Sequence, residues 1–263
     1  MSAVHLDAVG LAGPGMANWP DGVKVLADDS FYRGGDSPLC TSKLLPPNER
    51  RRVSATICLA LKVAEEAMAC SSLDLDDVCS VFATCDGDTE IMDKICVALT
   101  QPGRPVSPTQ FHNSVHNAAA GYWAIAAHSS MPSTTVSAYK ASFAAGLMEA
   151  AAQLQVESRP VLVVAYDHSL PGTLAASVGV YPPFAVAMVL SPDATPQSTL
   201  LRIQTVSRQP VQSMRCKDLE WLRQSNPAAG ALPLLLALAT GSSGRVILPH
   251  VNGLQLAVDV ETG

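Results

Sequence analysis

The residues of this chain best placed to do chemistry gather at one junction, Thr135-Val-Ser-Ala-Tyr-Lys-Ala-Ser-Phe-Ala-Ala-Gly146. It reads as a β-branched strand that turns abruptly into a helix. Such a turn presents a side chain at a helix N-terminus, where unpaired backbone N–H groups and the dipole stabilise an anion. Acyl-transfer chemistry uses a nucleophile in that setting. Ser142 lies about one turn into the helix, where a hydroxyl is expected to be packed or bonded to the backbone. His112 and His116 are spaced i, i+4, which would serve a metal on a helix, but the stretch reads as a loop without a third ligand, so hydrogen bonding or an interface role is expected. Cys85 precedes Asp86-Gly87-Asp88 and could pass for a nucleophile or a cation site. A strand end followed by a helix start, with acids set against the dipole, accounts for the same residues. His168 follows Tyr166-Asp167 at a strand's C-terminal end, where ligands bind in open α/β sheets, and is a pocket candidate with Ser142.

The seven cysteines are odd in number, contain no C-x-x-C pair and mostly sit in apolar stretches, so buried free thiols are expected rather than a metal or disulfides. Over 263 residues, 48% are hydrophobic, 15% are charged and the formal net charge is -6. That balance supplies a sizeable core and argues against a surface that tracks nucleic acid or anionic lipid. So few charges leave little material to cover the surface, which suggests apolar faces hidden by another subunit. The opening residues lack a signal-peptide pattern and the longest apolar run, Ala228 to Ala239, is too short to span a bilayer, so a cytoplasmic protein without a membrane span is expected.

Positioning these groups requires a regular α/β framework. Val4 to Leu11 reads as a strand, followed by a turn-rich excursion to about Arg33. Pro46-Pro-Asn-Glu49 opens a helix carried by Val53, Ile57, Leu61 and Ala64 to Cys70. Ser80 to Thr84 reads as a buried strand, with a helix through Ile91, Ile95 and Leu99 after it. A Pro-bracketed loop from Gln101 to Gln110 leads to Phe111-His-Asn-Ser-Val-His-Asn117 and a small-residue helix, Ala118 to His128. Ser133 to Tyr139 is a strand, Ala141 to Leu154 a helix, and the all-apolar Val161 to Ala165 a central strand buried on both faces. Phe184 to Leu190 and Leu200 to Val206 read as strands, neighbours around a Pro/Ser turn. A poorly patterned stretch, Ser207 to Ser225, precedes a helix from Ala228 to Thr240. Val246 to Val251 and Leu254 to Val260 are joined at Asn252-Gly253, a hairpin signal. The alternation points to a layered α/β domain.

The junction resembles the nucleophile turn of β-ketoacyl-acyl carrier protein synthases: a strand ending in Ser/Thr-Ala, then Cys, then Ala-Ser and a helix with a Gly about two turns on. The cysteine would fall at Tyr139 or Lys140 and is absent. Ser107 to Gly121 is similar to the family's loop and helix beside the dimer interface and acyl pocket, and Val161 to Ala165 to the strand after the nucleophile helix. Asn226-Pro-Ala-Ala-Gly230 resembles the helix start that follows an active-site histidine, whose place is taken by Gln224 to Pro227. The other family histidine has no counterpart between Val206 and Ser225. The resemblance implies a thiolase-like layered fold in one domain, residues 1–263, with a near-complete N-terminal half (1–183) and a shortened C-terminal half (184–263). The pattern best matches short, chain-length-factor-like subunits of bacterial aryl polyene and related type II fatty acid or polyketide pathways. It implies a non-catalytic subunit without cofactor or metal, pairing with a catalytic ketosynthase and meeting acyl carrier protein through that complex. Phe111, His112, Asn113, Val115, His116, Asn117 and Tyr139 would form the interface and tunnel wall. The alternative is a divergent thiolase-fold acyltransferase or thioesterase using Ser142 or Cys85 with His112 or His116.

Overall fold

The computed structural model describes residues 2–32, 34–35, 37, 40–179 and 181–262. In chain order the elements are β1 (Ser2–Ala12), α1 (Trp19–Ala27), α2 (Pro47–Arg50), α3 (Ala55–Ala69), β2 (Cys79–Ala83), α4 (Thr89–Thr100), α5 (Pro108–Asn113), α6 (Ala118–Ala127) and β3 (Ser133–Val136). They continue with α7 (Ser142–Glu157), β4 (Val161–Asp167), α8 (Gly172–Val178), β5 (Phe184–Ser191), β6 (Thr199–Ser207), α9 (Lys217–Ser225), α10 (Leu232–Ala239), β7 (Gly244–Pro249) and β8 (Leu254–Glu261). The strands form one sheet in the order β3-β2-β4-β5-β1-β6-β8-β7. Only β3, β2 and β4 run parallel, so all three deliver their C-terminal ends to one side.

Strand β4, apolar from Val161 to Ala165, lies inside the sheet and feeds two cores. Val161, Val163 and Ala165 pack with α7 and α10 on one face, while Leu162, Val164 and Tyr166 pack with α3 and α6 on the other. Side chains alternate across a strand, so a strand covered on both faces reads as a continuous apolar run. The three outermost strands are covered on one face only. Leu201, Ile203, Val246, Leu248, Leu256 and Val258 turn toward α10. The other face carries Arg202, Asp259 and Arg245 in register across β6, β8 and β7. Arg202 pairs with Glu261 at 2.6 Å and Arg245 with Asp259 at 2.7 Å. Solvated ion pairs finish this surface where a helix would otherwise lie.

Several elements differ from the sequence reading. The excursion before Arg33 contains α1, capped by Asn18, whose side chain accepts the Asp21 N–H at 2.9 Å. The helix opened at Pro46 is two helices, the second restarting at the Ser54 cap. Residues 108–113 are a short helix rather than loop, so His112 and His116 do not share a helix. Strand β3 stops at Val136, because the chain must turn before Tyr139. Strands β5 and β6 are not neighbours; the 11-residue β1 lies between them, pairing with β6 through Ser2 to Leu6 and with β5 through His5 to Ala12. The poorly patterned stretch ends in α9, and the helix from Ala228 begins as a tighter turn, Ala228–Ala231. Asn252 and Gly253 both adopt positive φ in the link between β7 and β8, as the hairpin signal requires. Among the described residues, no helix is long and apolar enough to cross a membrane.

One close approach fixes the first layer. A Cβ on Gly10 would collide with the Val63 carbonyl oxygen of α3 and lie 2.9 Å from the Ala67 nitrogen. Backbone, unlike a side-chain tip, has nowhere to move. Gly10→Ala is therefore expected to cost about 2–3 kcal/mol of stability, read from the midpoint of urea unfolding. A loss below about 0.5 kcal/mol would show that α3 is free to retreat.

Candidate functional site

The C-terminal ends of β2, β3 and β4 converge, and the turns that follow them carry the candidate residues. After β3 the chain passes Ser137 and Ala138 into a tight turn, Tyr139–Ala141, and then into α7. Tyr139 has φ +52°, a left-handed conformation costing an ordinary side chain roughly 1–2 kcal/mol. The buried Ser142 hydroxyl holds it there, accepting the Ala138 N–H at 3.0 Å and donating to the Tyr139 carbonyl at 2.7 Å. Gly146 lets α7 sit against β2, since a Cβ there would lie 2.7 Å from that of Ala83. Tyr139 is 66% exposed at the tip, with the Lys140 ammonium 6.0 Å from its ring centre.

Neither nucleophile candidate is poised. Both hydrogen-bonding functions of Ser142 are spent on the turn. The Cys85 thiol donates to the Asp86 carboxylate at 3.2 Å, and burial, followed by that hydrogen bond and the charge of Asp86, pushes its pKa well up, so it stays a thiol. His116 lies against the turn after β2, its ring carbon 3.7 Å from where a Cβ of Gly87 would stand. The exposed His112 stacks edge-on to Tyr122, with centroids 6.1 Å apart. Half-buried His168 meets the Ser169 hydroxyl at 3.2 Å, and burial pushes its pKa down. Among the described residues, no three His, Cys, Asp or Glu side chains are arranged to hold a metal.

Of the expected pairing residues, Phe111 is 68% exposed and Val115 53%, and His112, His116, Asn117 and Tyr139 also face outward. Asn113 does not: it is buried, donating to the Arg52 carbonyl at 2.7 Å and accepting from the Tyr122 hydroxyl at 3.0 Å, and so ties α5 to the turn after α2. Ile125 of α6, 44% exposed, extends the same face. No Asp, Glu, Lys or Arg occurs between Arg104 and Lys140, so α5, α6 and β3 contribute no formally charged side chain, and Lys140 beside Tyr139 is the first charge after them. Strand β3 bounds this face as a sheet edge, paired to β2 alone among the described residues.

Beneath this face sits a polar junction that sequence reasoning missed. Asp167, at the end of β4, is buried; its Oδ1 accepts the Thr84 hydroxyl at 2.9 Å and the Cys85 N–H at 2.8 Å, while Oδ2 has no partner. Its carbonyl accepts the Asn226 amide at 3.0 Å. The fully buried Asn226 also donates to the Pro182 carbonyl at 2.9 Å and accepts the Ala228 N–H at 2.9 Å. The Tyr181 hydroxyl reaches Asp86 at 3.4 Å. The available signal was an acid directly after six uncharged residues of a buried strand, Val161 to Tyr166.

Comparison with known proteins follows this geometry. The family model for the N-terminal domain of β-ketoacyl synthases matches residues 28–237. No curated protein sequence matches. Among solved structures, the chain is similar to one in the complex of the ketosynthase ApeO with its chain length factor ApeC from Xenorhabdus doucetiae, at 23% identity and TM-score 0.75, covering 98% of this chain and 99% of that one. It is also similar to the ishigamide ketosynthase/chain length factor, at 14% identity and TM-score 0.71 over 100% of this chain and 99% of the other. A third is AntDE:AntF, a type II polyketide synthase acyl-carrier protein in complex with its ketosynthase, at 13% identity and TM-score 0.72 over 100% and 99%. The fold is thus the thiolase-like fold of ketosynthases.

Burial, partly offset by the Cys85 and Thr84 hydrogen bonds, pushes the Asp167 carboxyl up to about 7. The folded chain then keeps a proton that the unfolded chain has released above pH about 4, so this group withdraws stability as pH climbs from roughly 4 to 7. In chemical denaturation, the stability difference between wild type and Asp167→Asn is expected to move by at least about 2 kcal/mol in favour of the variant between pH about 5 and about 8. A difference that stays constant would place the carboxyl in the ordinary range.

Proposed function

The chain belongs to the β-ketoacyl synthase family, and we propose that within it this protein is a chain-length-factor-like subunit. It pairs with a catalytic β-ketoacyl synthase and contributes one wall of the tunnel into which the acyl chain grows, in aryl polyene, fatty acid or polyketide synthesis. Acyl carrier protein meets it through that complex. The observation that carries this reading is the run from Pro105 to Tyr139 without a formally charged side chain, which builds α5, α6 and the edge strand β3. Interface centres are depleted in charge and enriched in aromatic residues, and a solvated monomer surface rarely runs so long without Lys or Glu. Phe111, Val115 and Tyr139 are the side chains that cross to the partner, and their bulk sets where the tunnel ends. The complexes containing chain length factors that this fold resembles add support.

Decarboxylative condensation needs a thiolate to carry the acyl chain and imidazoles to polarise the malonyl carbonyl. At the expected nucleophile position stand a phenol, Tyr139, or an ammonium, Lys140, which would form an amide rather than a transferable thioester. The hydrogen bonds at Ser142 and Cys85 count against the acyltransferase or thioesterase alternative. The division into a near-complete N-terminal half, residues 1–183, and a shortened C-terminal half, residues 184–263, belongs to the same reading, with the break where β5 begins.

Co-expression with a catalytic β-ketoacyl synthase is expected to yield a stable hetero-oligomer by size exclusion with light scattering. Phe111→Asp or Val115→Asp should weaken it at least about tenfold, the signature of a buried interface anchor. Incubation with acyl thioesters should leave the intact mass unchanged. Failure to associate under any condition sinks the reading, and an acyl adduct lost in Ser142→Ala or Cys85→Ala would favour the enzyme alternative.

A further inference from the structure

Two turns of the pairing face, at residues 84–88 and 137–141, are linked to the interior through one carboxyl group. Asp167 Oδ1 takes the Thr84 hydroxyl, and the Thr84 oxygen in turn accepts the Gly87 N–H at 3.1 Å. Gly87, with φ +66°, lies under the ring of His116. The same Oδ1 takes the Cys85 N–H, and the Cys85 carbonyl accepts the Ser137 hydroxyl at 2.9 Å, two residues before Tyr139. One oxygen thus reaches both His116 and Tyr139, at opposite ends of the face. The other, Oδ2, is buried without a partner.

A dry, half-paired carboxylate is costly, and such a group holds its proton instead. Its surroundings offer little relief. Cys85 and Asp86 act on it from the turn between β2 and α4, Tyr166 from β4 and Tyr181 from the segment before β5, while Asp88 lies near Tyr166 and His168 rather than against the carboxyl itself. Lys140 approaches from the turn at Tyr139 and acts on Cys85. The uncharged Asn226 completes the enclosure. Ionisation therefore adds a charge beside Asp86; the hydrogen bonds from Thr84 and from the Cys85 and Asp86 backbone favour it, but the cost of burial outweighs them and is relieved by admitting water to Oδ2.

We propose that Asp167 is a proton-operated latch on the pairing face: protonated, it keeps the turn at residues 84–88 and the turn at residues 137–141 closed on one another, and ionised, it releases both. The purpose assigned to the face rests on the proposed function, whereas the latch itself does not. Near-neutral titration of this carboxyl, forced by burial, sets the pH range over which the latch works.

The test uses the full chain between pH about 6 and about 8.5. Amide hydrogen exchange, corrected for the intrinsic effect of pH, is expected to quicken at least about tenfold at Gly87 and at residues 138–141 in the wild type. In the near-isosteric Asp167→Asn the change should fall below about twofold. Thr84→Val keeps the titration, read from the Asp167 carboxyl carbon by NMR, but frees Gly87 at every pH. A wild type without the pH response, or an Asp167→Asn variant that keeps it, overturns the latch. With a catalytic ketosynthase present, the wild-type dissociation constant should rise about tenfold across this range and that of the variant less than twofold; equal rises overturn the latch as well. A chain that binds no ketosynthase at any pH defeats the proposed function, while the exchange data still decide the latch.

Discussion

Of the three parallel strands, β2 and β4 are buried along their whole length, so their polar groups gather at the ends where the chain leaves the sheet. In this protein β2, β3 and β4 finish level with one another, and the segments beyond them would splay apart unless something tied them. Asp167 does so with three hydrogen bonds at two of its atoms, Oδ1 taking Thr84 and Cys85 of the turn after β2 and its carbonyl taking Asn226 at the end of α9. The left-handed Tyr139 depends on this tie as well as on Ser142, since the segment entering its turn is anchored to Cys85 through Ser137. Backbone strain of this kind persists only where the surroundings over-determine it.

What was legible in the sequence follows from how local each signal is. The continuous apolar run of β4 and the helical spacing of Ile57, Leu61 and Ala64 report burial directly, because period and burial are the same fact seen twice. Helix α1 hid behind Gly, Pro and Trp because its evidence was a single cap, Asn18, and the tolerance of a helix start for Pro20. The strand order was not legible at all. Nothing in the residues of β5 or β6 says that β1 will pair with one through its second half and with the other through its first.

The site divides in the same way. The turn at Tyr139 could be placed from its own residues, and Ser142 could be recognised as a bracing hydroxyl, because both are contained within a dozen positions. Asn226 and Asp167 lie 59 positions apart and Thr84 and Asp167 lie 83 apart, so no window of sequence contains either pair. Asn113 shows a further limit. Its neighbours Phe111, His112 and Val115 point outward, and only the fold reveals that a short helix turns this one residue inward to meet Tyr122 and the Arg52 carbonyl.

Charge distribution joins the two ends of the molecule. A chain with only 15% charged residues must choose where to place them. On the outer face of β6, β8 and β7, where no helix covers the sheet, Arg202, Arg245, Asp259 and Glu261 form cross-strand pairs that keep the strands soluble. Such pairs contribute little stability in water, so their value there is solubility and register. The β3 edge at the opposite end of the sheet has the same exposure problem and none of that remedy, since no formally charged residue occurs from Pro105 to Tyr139. One sheet thus protects one end with charge and leaves the other bare. That asymmetry fits a surface meant to be covered by protein rather than by water.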